Sequence, residues 1–171
     1  MTDELSAWIT ESAPRALAYA VSLVRNVSVA EDLVQDCYQR LLTKSEEYDL
    51  PKDGTKLLFK AVTNASINWN QREAKSLSLH AVKQNSNFPA AASERPLQAA
   101  VRRELDDAVG IALAELPVEQ RAVIELHVMG HTTSDIANML ELTPENVRVL
   151  RHRARKQLAA QLRPFLENDT Q

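Results

Sequence analysis

Three glycines in 171 residues, Gly54, Gly110 and Gly130, constrain this chain more than any other feature. A many-stranded fold needs repeated turns with positive φ, and a loop that cradles phosphate needs several glycines close together. Three scattered glycines supply neither, so the expectation is an all-α chain. Composition agrees: 44% apolar and 25% charged residues describe a soluble globular sequence. Its apolar runs are far shorter than the roughly 20 residues that cross a bilayer. The segment from Met1 to Pro14 opens with Asp3 and Glu4 and lacks an apolar stretch, so it does not read as a signal peptide. A cytoplasmic protein is expected, and the single Cys37 fits a reducing compartment.

The helical periodicity places two domains. Residues 1–76 form the first, 77–98 a linker rich in Ser, Asn, Ala and Pro, and 99–171 the second. In the first domain, Pro14 is expected to open a helix carrying Leu17, Ala20, Val21 and Val24. Ser28 and Glu31 have the spacing of a capping box for the next, which buries Leu33, Val34, Cys37, Tyr38 and Leu41. A third helix, from about Thr55 to Lys75, turns Leu58, Ala61, Val62, Ala65 and Trp69 inward. After the linker, Leu97 to Leu116 and Val118 to Met129 read as two helices. Thr132 or Thr133 caps the next, and Thr143, Pro144 and Glu145 open the last.

Net charge is only −3, which looks unfavourable for nucleic acid until it is divided along the chain. From Pro144 to Arg163, Arg148, Arg151, Arg153, Arg155, Lys156 and Arg163 face Glu145 alone. Ile136, Ala137 and Leu140 bury the short helix before this stretch, and Val147, Leu150, Ala154 and Leu158 bury the basic one. Leu142 and Val147 have the spacing of a hydrophobic staple across the turn. This is the pattern of a helix-turn-helix, which leaves Arg148, Val149, Arg151, His152, Arg153, Arg155 and Lys156 facing outward. Such a helix suits the DNA major groove; the plainer alternative is a solvated basic helix on an ordinary bundle.

Two more patterns stand out. Asp32, Gln35, Asp36 and Gln39 fall at i, i+3, i+4 and i+7, a polar and acidic stripe that is either solvated or a docking surface. Lys56, Lys60, Asn64, Asn68, Arg72 and Lys75 form a ridge on the third helix. There the cations suit phosphates and the amides suit base edges; the alternative is a plain hydrophilic face. His80, His127, His131 and His152 do not form a compact ligand set with Cys37 or carboxylates, and no nucleophile elbow or Walker loop is present. No metal, cofactor or enzymatic activity is expected.

Ala30 to Leu41, AEDLVQDCYQRL, resembles the region 2.2 signature of the bacterial sigma-70 factors, within the compact extracytoplasmic function (ECF) group that keeps the second and fourth conserved regions. Leu57 to Lys75, LLFKAVTNASINWNQREAK, is similar to regions 2.3 and 2.4. Leu113 to Leu158, beginning LAELPVEQRAVIELHVMG and ending ENVRVLRHRARKQL, looks like region 4. The tryptophan that usually opens region 2.3 is replaced by Leu57, leaving Phe59 or Trp69 as the aromatic wedge for melting. Gln71 and Glu73 stand where relatives often carry arginines, and Glu141 sits at a turn position that is often glycine.

The resemblance implies a non-enzymatic RNA polymerase sigma factor that directs promoter-specific initiation. Asp32, Gln35, Asp36 and Gln39 would meet the clamp helices of the polymerase β′ subunit, and the second domain the β flap. Asn64 and Asn68 would contact the exposed −10 strand with Lys60, Arg72 and Lys75 on phosphates. Arg148, Val149, His152 and Arg153 would face −35 bases, with Arg151 and Arg155 on the backbone. An anti-sigma factor is a common partner in the family, though no residue of this chain identifies one. A helix-turn-helix regulator that binds duplex DNA without polymerase is the alternative.

Overall fold

The computed structural model describes residues 3–77 and 96–167, and every regular element among them is an α-helix. The helices are α1 (Asp3–Val24), α2 (Val27–Leu42), α3 (Leu50–Leu77), α4 (Pro96–Ala114), α5 (Val118–Val128), α6 (Thr133–Leu140) and α7 (Pro144–Glu167). The linker expected over 77–98 lies for the most part outside the described residues.

The N-terminal helices depart from the sequence expectations at their ends. Helix α1 does not open at Pro14 but runs straight through it. An interior proline removes a backbone donor and crowds the preceding turn, at roughly 3 kcal/mol. The helix continues because Trp8 and Ser12 before the proline, and Ala16, Tyr19, Ala20 and Leu23 after it, are all buried. Pro14 itself is exposed, where water can take up the freed carbonyl.

Nor does a Ser28–Glu31 box start α2. Arg25 turns the chain with φ 58° and donates its N–H to Val21 O at 2.8 Å, and Asn26 is the N-cap, its side chain accepting from the Val29 N–H at 3.2 Å. Asparagine is among the strongest N-cap residues, so the helix begins before Ser28 is reached. Helix α3 likewise starts ahead of Thr55: Asp49 accepts from the Asp53 N–H at 2.7 Å through its carbonyl and from the Lys52 N–H at 3.3 Å through its carboxylate.

Early growth of α3 brings Gly54 under the indole of Trp8. A β-carbon at position 54 would stand 2.8 Å from the ring, so the close approach of α1 and α3 requires glycine there. Trp8 Nε1 donates to Thr55 Oγ1 at 3.2 Å, and its ring meets Tyr38 of α2 edge-on at 5.4 Å. Tyr38 in turn shares a hydrogen bond of 2.7 Å with Ser12 Oγ. One aromatic cluster thus locks three helices.

The C-terminal helices pack onto this bundle through α5 and α6. Leu58, Phe59 and Val62 of α3 belong to one continuous buried cluster with Ala122, Val123 and Leu126 of α5, Ile136, Ala137 and Met139 of α6, and Val147 of α7. Phe59 was expected to be available as a wedge; it is fully buried, 5.2 Å from the Tyr19 ring and 5.7 Å from the His131 ring. Trp69 is half-buried and packs against the same core.

Arg121 is the charged residue inside this junction. It is only 5% exposed and donates five hydrogen bonds to main-chain carbonyls. Three serve the end of α4 and the turn after it, at Leu113 (2.7 Å), Ala114 (2.7 Å) and Leu116 (2.9 Å). Two reach across to the end of α1, at Ser22 (2.7 Å) and Leu23 (3.3 Å). The last carbonyls of a helix have no partner within it and carry the negative end of its dipole, so one guanidinium satisfies both helix ends. Burial, and then the charge of Arg25, pull its pKa down to about 10, which leaves it a cation at neutral pH.

Arg121→Ala takes the guanidinium from all five carbonyls, of which Leu23 O keeps Asn70 Nδ2 and Leu113 O keeps the Leu116 N–H, and should lower the unfolding free energy by about 3 kcal/mol. Arg121→Lys, with no fork to span both helix ends, should recover only part of this, as measured by chemical denaturation.

Candidate nucleic-acid interface

The C-terminal helix-turn-helix is built from its caps inward. Thr132 Oγ1 accepts from the Asp135 N–H at 3.1 Å, while Asp135 Oδ2 accepts from the Thr132 N–H at 3.3 Å and its hydroxyl at 2.8 Å, a reciprocal capping box that starts α6. The helix ends where Glu141 adopts the left-handed conformation, φ 56° and ψ 40°, and the Leu142 N–H turns back to Ala137 O at 2.9 Å. Thr143 Oγ1 then accepts from the Asn146 N–H at 3.2 Å and opens α7. Val147 is buried and Leu142 packs on the same core, as the staple requires.

Burial of Val147 and Ala154 fixes the outward face of α7. Arg148, Val149, His152, Arg153, Arg155 and Lys156 are exposed along it, whereas Arg151, expected outward with them, is half-buried. Arg148 Nη1 lies 3.1 Å from Glu145 Oε1, one turn earlier. Both side chains are mostly in solvent, so the pair is worth at most about 1 kcal/mol and yields readily to a better acceptor.

On α2, Asp32, Gln35, Asp36 and Gln39 are all exposed. Gln35 and Gln39 border a shallow open depression shared with Tyr38, Leu42 and Thr43. The stripe therefore has an apolar edge against which a partner helix can pack.

On α3, Asn64, Asn68, Arg72 and Lys75 are exposed, and Lys60 is partly covered. The end of the ridge nearest Leu50 meets α6. Lys56 Nζ lies 2.8 Å from Asp135 Oδ1, and Lys60 Nζ 2.9 Å from Glu141 Oε1. Hydrogen bonding first to Lys56 and then to Thr132 lowers the Asp135 pKa to about 2. Asn70, passed over in the sequence, faces the opposite way and bonds Leu23 O at 3.2 Å and Ser66 O at 2.8 Å. The two carboxylates on Lys56 and Lys60 were also missed. Their one sequence signal was a glutamate at a turn position that glycine occupies without strain.

Family models match most of the chain: sigma-70 region 2 over residues 8–75 and sigma-70 region 4 over residues 107–158. The chain belongs to the sigma-70 family. It is an RNA polymerase sigma factor, a subunit that binds the core enzyme and directs initiation at promoters, and its pairing of regions 2 and 4 is that of the ECF group. Among solved structures, the fold is similar to that of the sigma factor RpoE from Bartonella quintana, solved in complex with the anti-sigma factor NepR. The two chains share 22% identity over 95% of this chain and 98% of that one, with a TM-score of 0.72. A search of curated proteins finds no match. No helix among the described residues is long and apolar enough to cross a membrane.

Where region 4 of the sigma factor meets region 2, the His131 ring lies tilted against Phe59, and its Nε2 is buried with no hydrogen-bond partner. Burial, foremost, lowers its pKa; Asp135 opposes that shift, while Arg15 and Lys56 add to it. A histidine with a folded pKa below the unfolded value contributes stability that is complete above about pH 6.5 and is lost as pH falls through the folded pKa. Glu125, whose pKa burial raises, acts in the opposite direction, so a comparison of variants is needed. His131→Phe, which keeps a ring on Phe59 but cannot titrate, should show a smaller fall in Tm between pH 7 and pH 5 than the parent chain. Equal falls would mean that His131 does not titrate at the junction.

Proposed function

We propose that three exposed faces divide the work of this sigma factor between protein and DNA. The α2 stripe of Asp32, Gln35, Asp36 and Gln39 docks on the clamp helices of the polymerase β′ subunit. The C-terminal helices meet the β flap. The α3 ridge captures the melted −10 strand, with Asn64 and Asn68 on base edges and Lys60, Arg72 and Lys75 on phosphates. Helix α7 enters the −35 major groove with Arg148, Val149, His152 and Arg153 toward bases and Arg151 and Arg155 toward the backbone. The observation that carries the reading is the alignment of these faces with the matched regions: the acidic stripe and the amide-bearing ridge lie in region 2, and the capped helix-turn-helix lies in region 4.

The chemistry of each face supports its assignment. An exposed acidic stripe beside an apolar depression suits a basic protein helix and repels nucleic acid. Unpaired bases offer hydrogen-bonding edges that a duplex hides, and amides recognise such edges while flanking cations hold the backbone. Arginines on an exposed helix can bond guanine bidentately in the major groove. The factor acts by positioning, with no bond-making step of its own and no cofactor, in the cytoplasm where polymerase and promoter meet. Two domains, residues 1–76 and 99–171, joined through 77–98, gain affinity for a promoter when the polymerase fixes their separation, because the second contact becomes intramolecular. An anti-sigma factor is a fitting regulator, since the similar RpoE was solved in complex with one, NepR.

Mixing the purified chain with core polymerase and a promoter library tests the reading directly. Promoter-dependent run-off transcripts are expected; tight autonomous operator binding without polymerase association would favour an independent helix-turn-helix regulator. Asp36→Arg should weaken core polymerase binding by an order of magnitude or so while leaving duplex binding by the C-terminal helices intact. Arg148→Ala should cost about 1–3 kcal/mol of promoter binding and relax preference at one −35 position if its contact is a base. A uniform loss over all sequences would reassign it to phosphate.

A further inference from the structure

We infer that Glu145 reads a base: its carboxylate accepts a hydrogen bond from a cytosine amino group in the −35 major groove, beside a guanine contacted by Arg148. The inference rests on the assignment of α7 to the −35 element and extends it to a residue of opposite charge.

Glu145 is the one acid between Pro144 and Arg163, a stretch that otherwise carries six cations. At 3.6 residues per turn it falls opposite the buried Val147 and Ala154. Val149, His152 and Lys156 follow it on the same strip at i+4, i+7 and i+11, and all of them are exposed. The acid therefore stands at the centre of the outward face and in its first turn, just inside the Thr143 cap. That is the end of a helix-turn-helix recognition helix whose side chains reach base edges.

A carboxylate in that place has few acceptable partners. Phosphate rows flank the major groove, and an anion carried between them loses water and meets like charge. Ionised, it has no proton to donate. The acceptor edges of guanine and thymine repel it, and the amino groups of cytosine and adenine are the donors left. Adenine sets its N7 acceptor beside that amino group, whereas cytosine shows the donor alone, so cytosine suits a carboxylate better.

Arg148 gives the carboxylate its aim. Its Nη1 donates to Glu145 Oε1 at 3.1 Å, and Oε2 has no protein partner among the described residues. The guanidinium keeps Nε and Nη2 for O6 and N7 of guanine, so the pair need not break when the two bases are met. The same hydrogen bond fixes the spacing of the two contacts and so ties them to neighbouring base pairs. An acid in the first turn also suits the positive end of the helix dipole, a role that is blind to base identity.

The test assembles the full chain with core polymerase on promoters randomised through the −35 element. Bound sequences are counted for the parent, Glu145→Gln, Glu145→Ala and Arg148→Ala. The parent should select cytosine at a position next to the guanine that Arg148→Ala relaxes. Glu145→Ala should lower that cytosine preference about tenfold and leave the guanine in place. Glu145→Gln, which keeps the shape and gains a donor, should shift the preference to adenine, whose N6 and N7 it can meet together.

An unaltered base profile in both Glu145 variants, while Arg148→Ala still relaxes its guanine, overturns the inference alone and leaves the acid a purely helical role. Loss of the guanine preference rather than the cytosine one in Glu145→Ala also overturns it, because Glu145 then only holds Arg148. If Arg148→Ala and both Glu145 variants all leave the profile unaltered, the −35 assignment has failed and the inference falls with it.

Discussion

The buried guanidinium of Arg121 is the constraint from which the rest of the arrangement follows. A charge that has lost its water must find equivalent partners, and here all five are main-chain carbonyls, four at the ends of two helices and one in the turn after α4. Because those ends belong to α1 and α4, one side chain on α5 fixes the angle of the region 4 helices and their seat on region 2 together. Carboxylates play a smaller part: Glu125 is near enough to favour the charge, but the hydrogen bonds go to backbone. Main-chain acceptors move only with their helices, so this junction is bonded to the frame of the molecule.

The aromatic residues extend the same logic into the region 2 bundle. Tyr19 is fully buried and shares a 2.7 Å hydrogen bond with Thr63, which in turn donates to Phe59 O at 2.7 Å. Burial pushes the Tyr19 phenol well above its usual range, so it stays protonated and available as a donor. Phe59 then passes contact from Tyr19 to His131. Helix α3 is thus the shared wall of two packed units, and its orientation relative to α6 is set by rings and hydroxyls, with the exposed ion pairs added at the rim.

What the sequence made legible followed from local rules. The Thr132 cap, the Thr143–Pro144 start and the Leu142–Val147 staple depend on residues within one turn of each other, and the structure contains all three. The all-α fold followed from the glycine count, and the resemblance to the sigma-70 family rested on motifs that the family models also match. The misreadings have a common cause in contacts distant along the chain. Pro14 looked like a helix start because nothing nearby shows that Trp8 must be buried with Tyr19. Asn26 was passed over for a longer motif two residues on. Phe59 was offered as a wedge because periodicity cannot show that a second unit covers it, and the carboxylates on Lys56 and Lys60 lie some 80 residues away from them in sequence. Each is a tertiary effect, and only Glu141, at odds with its own turn, gave a local sign of it.

Helix α3 also separates two kinds of change along a single stretch of chain. Leu58, Phe59, Val62, Thr63 and Ser66 are almost fully enclosed, and any alteration in their size is felt throughout the bundle. Asn64 and Asn68 alternate with them but touch solvent, so exchanging their amides for other polar groups leaves the packing intact. On the proposed assignment of Asn64 and Asn68 to base edges, a helix divided in this way would let base preference drift while the scaffold stays fixed. New promoter repertoires would then be open to such a chain by single substitutions, with no need for a second change to restore its stability.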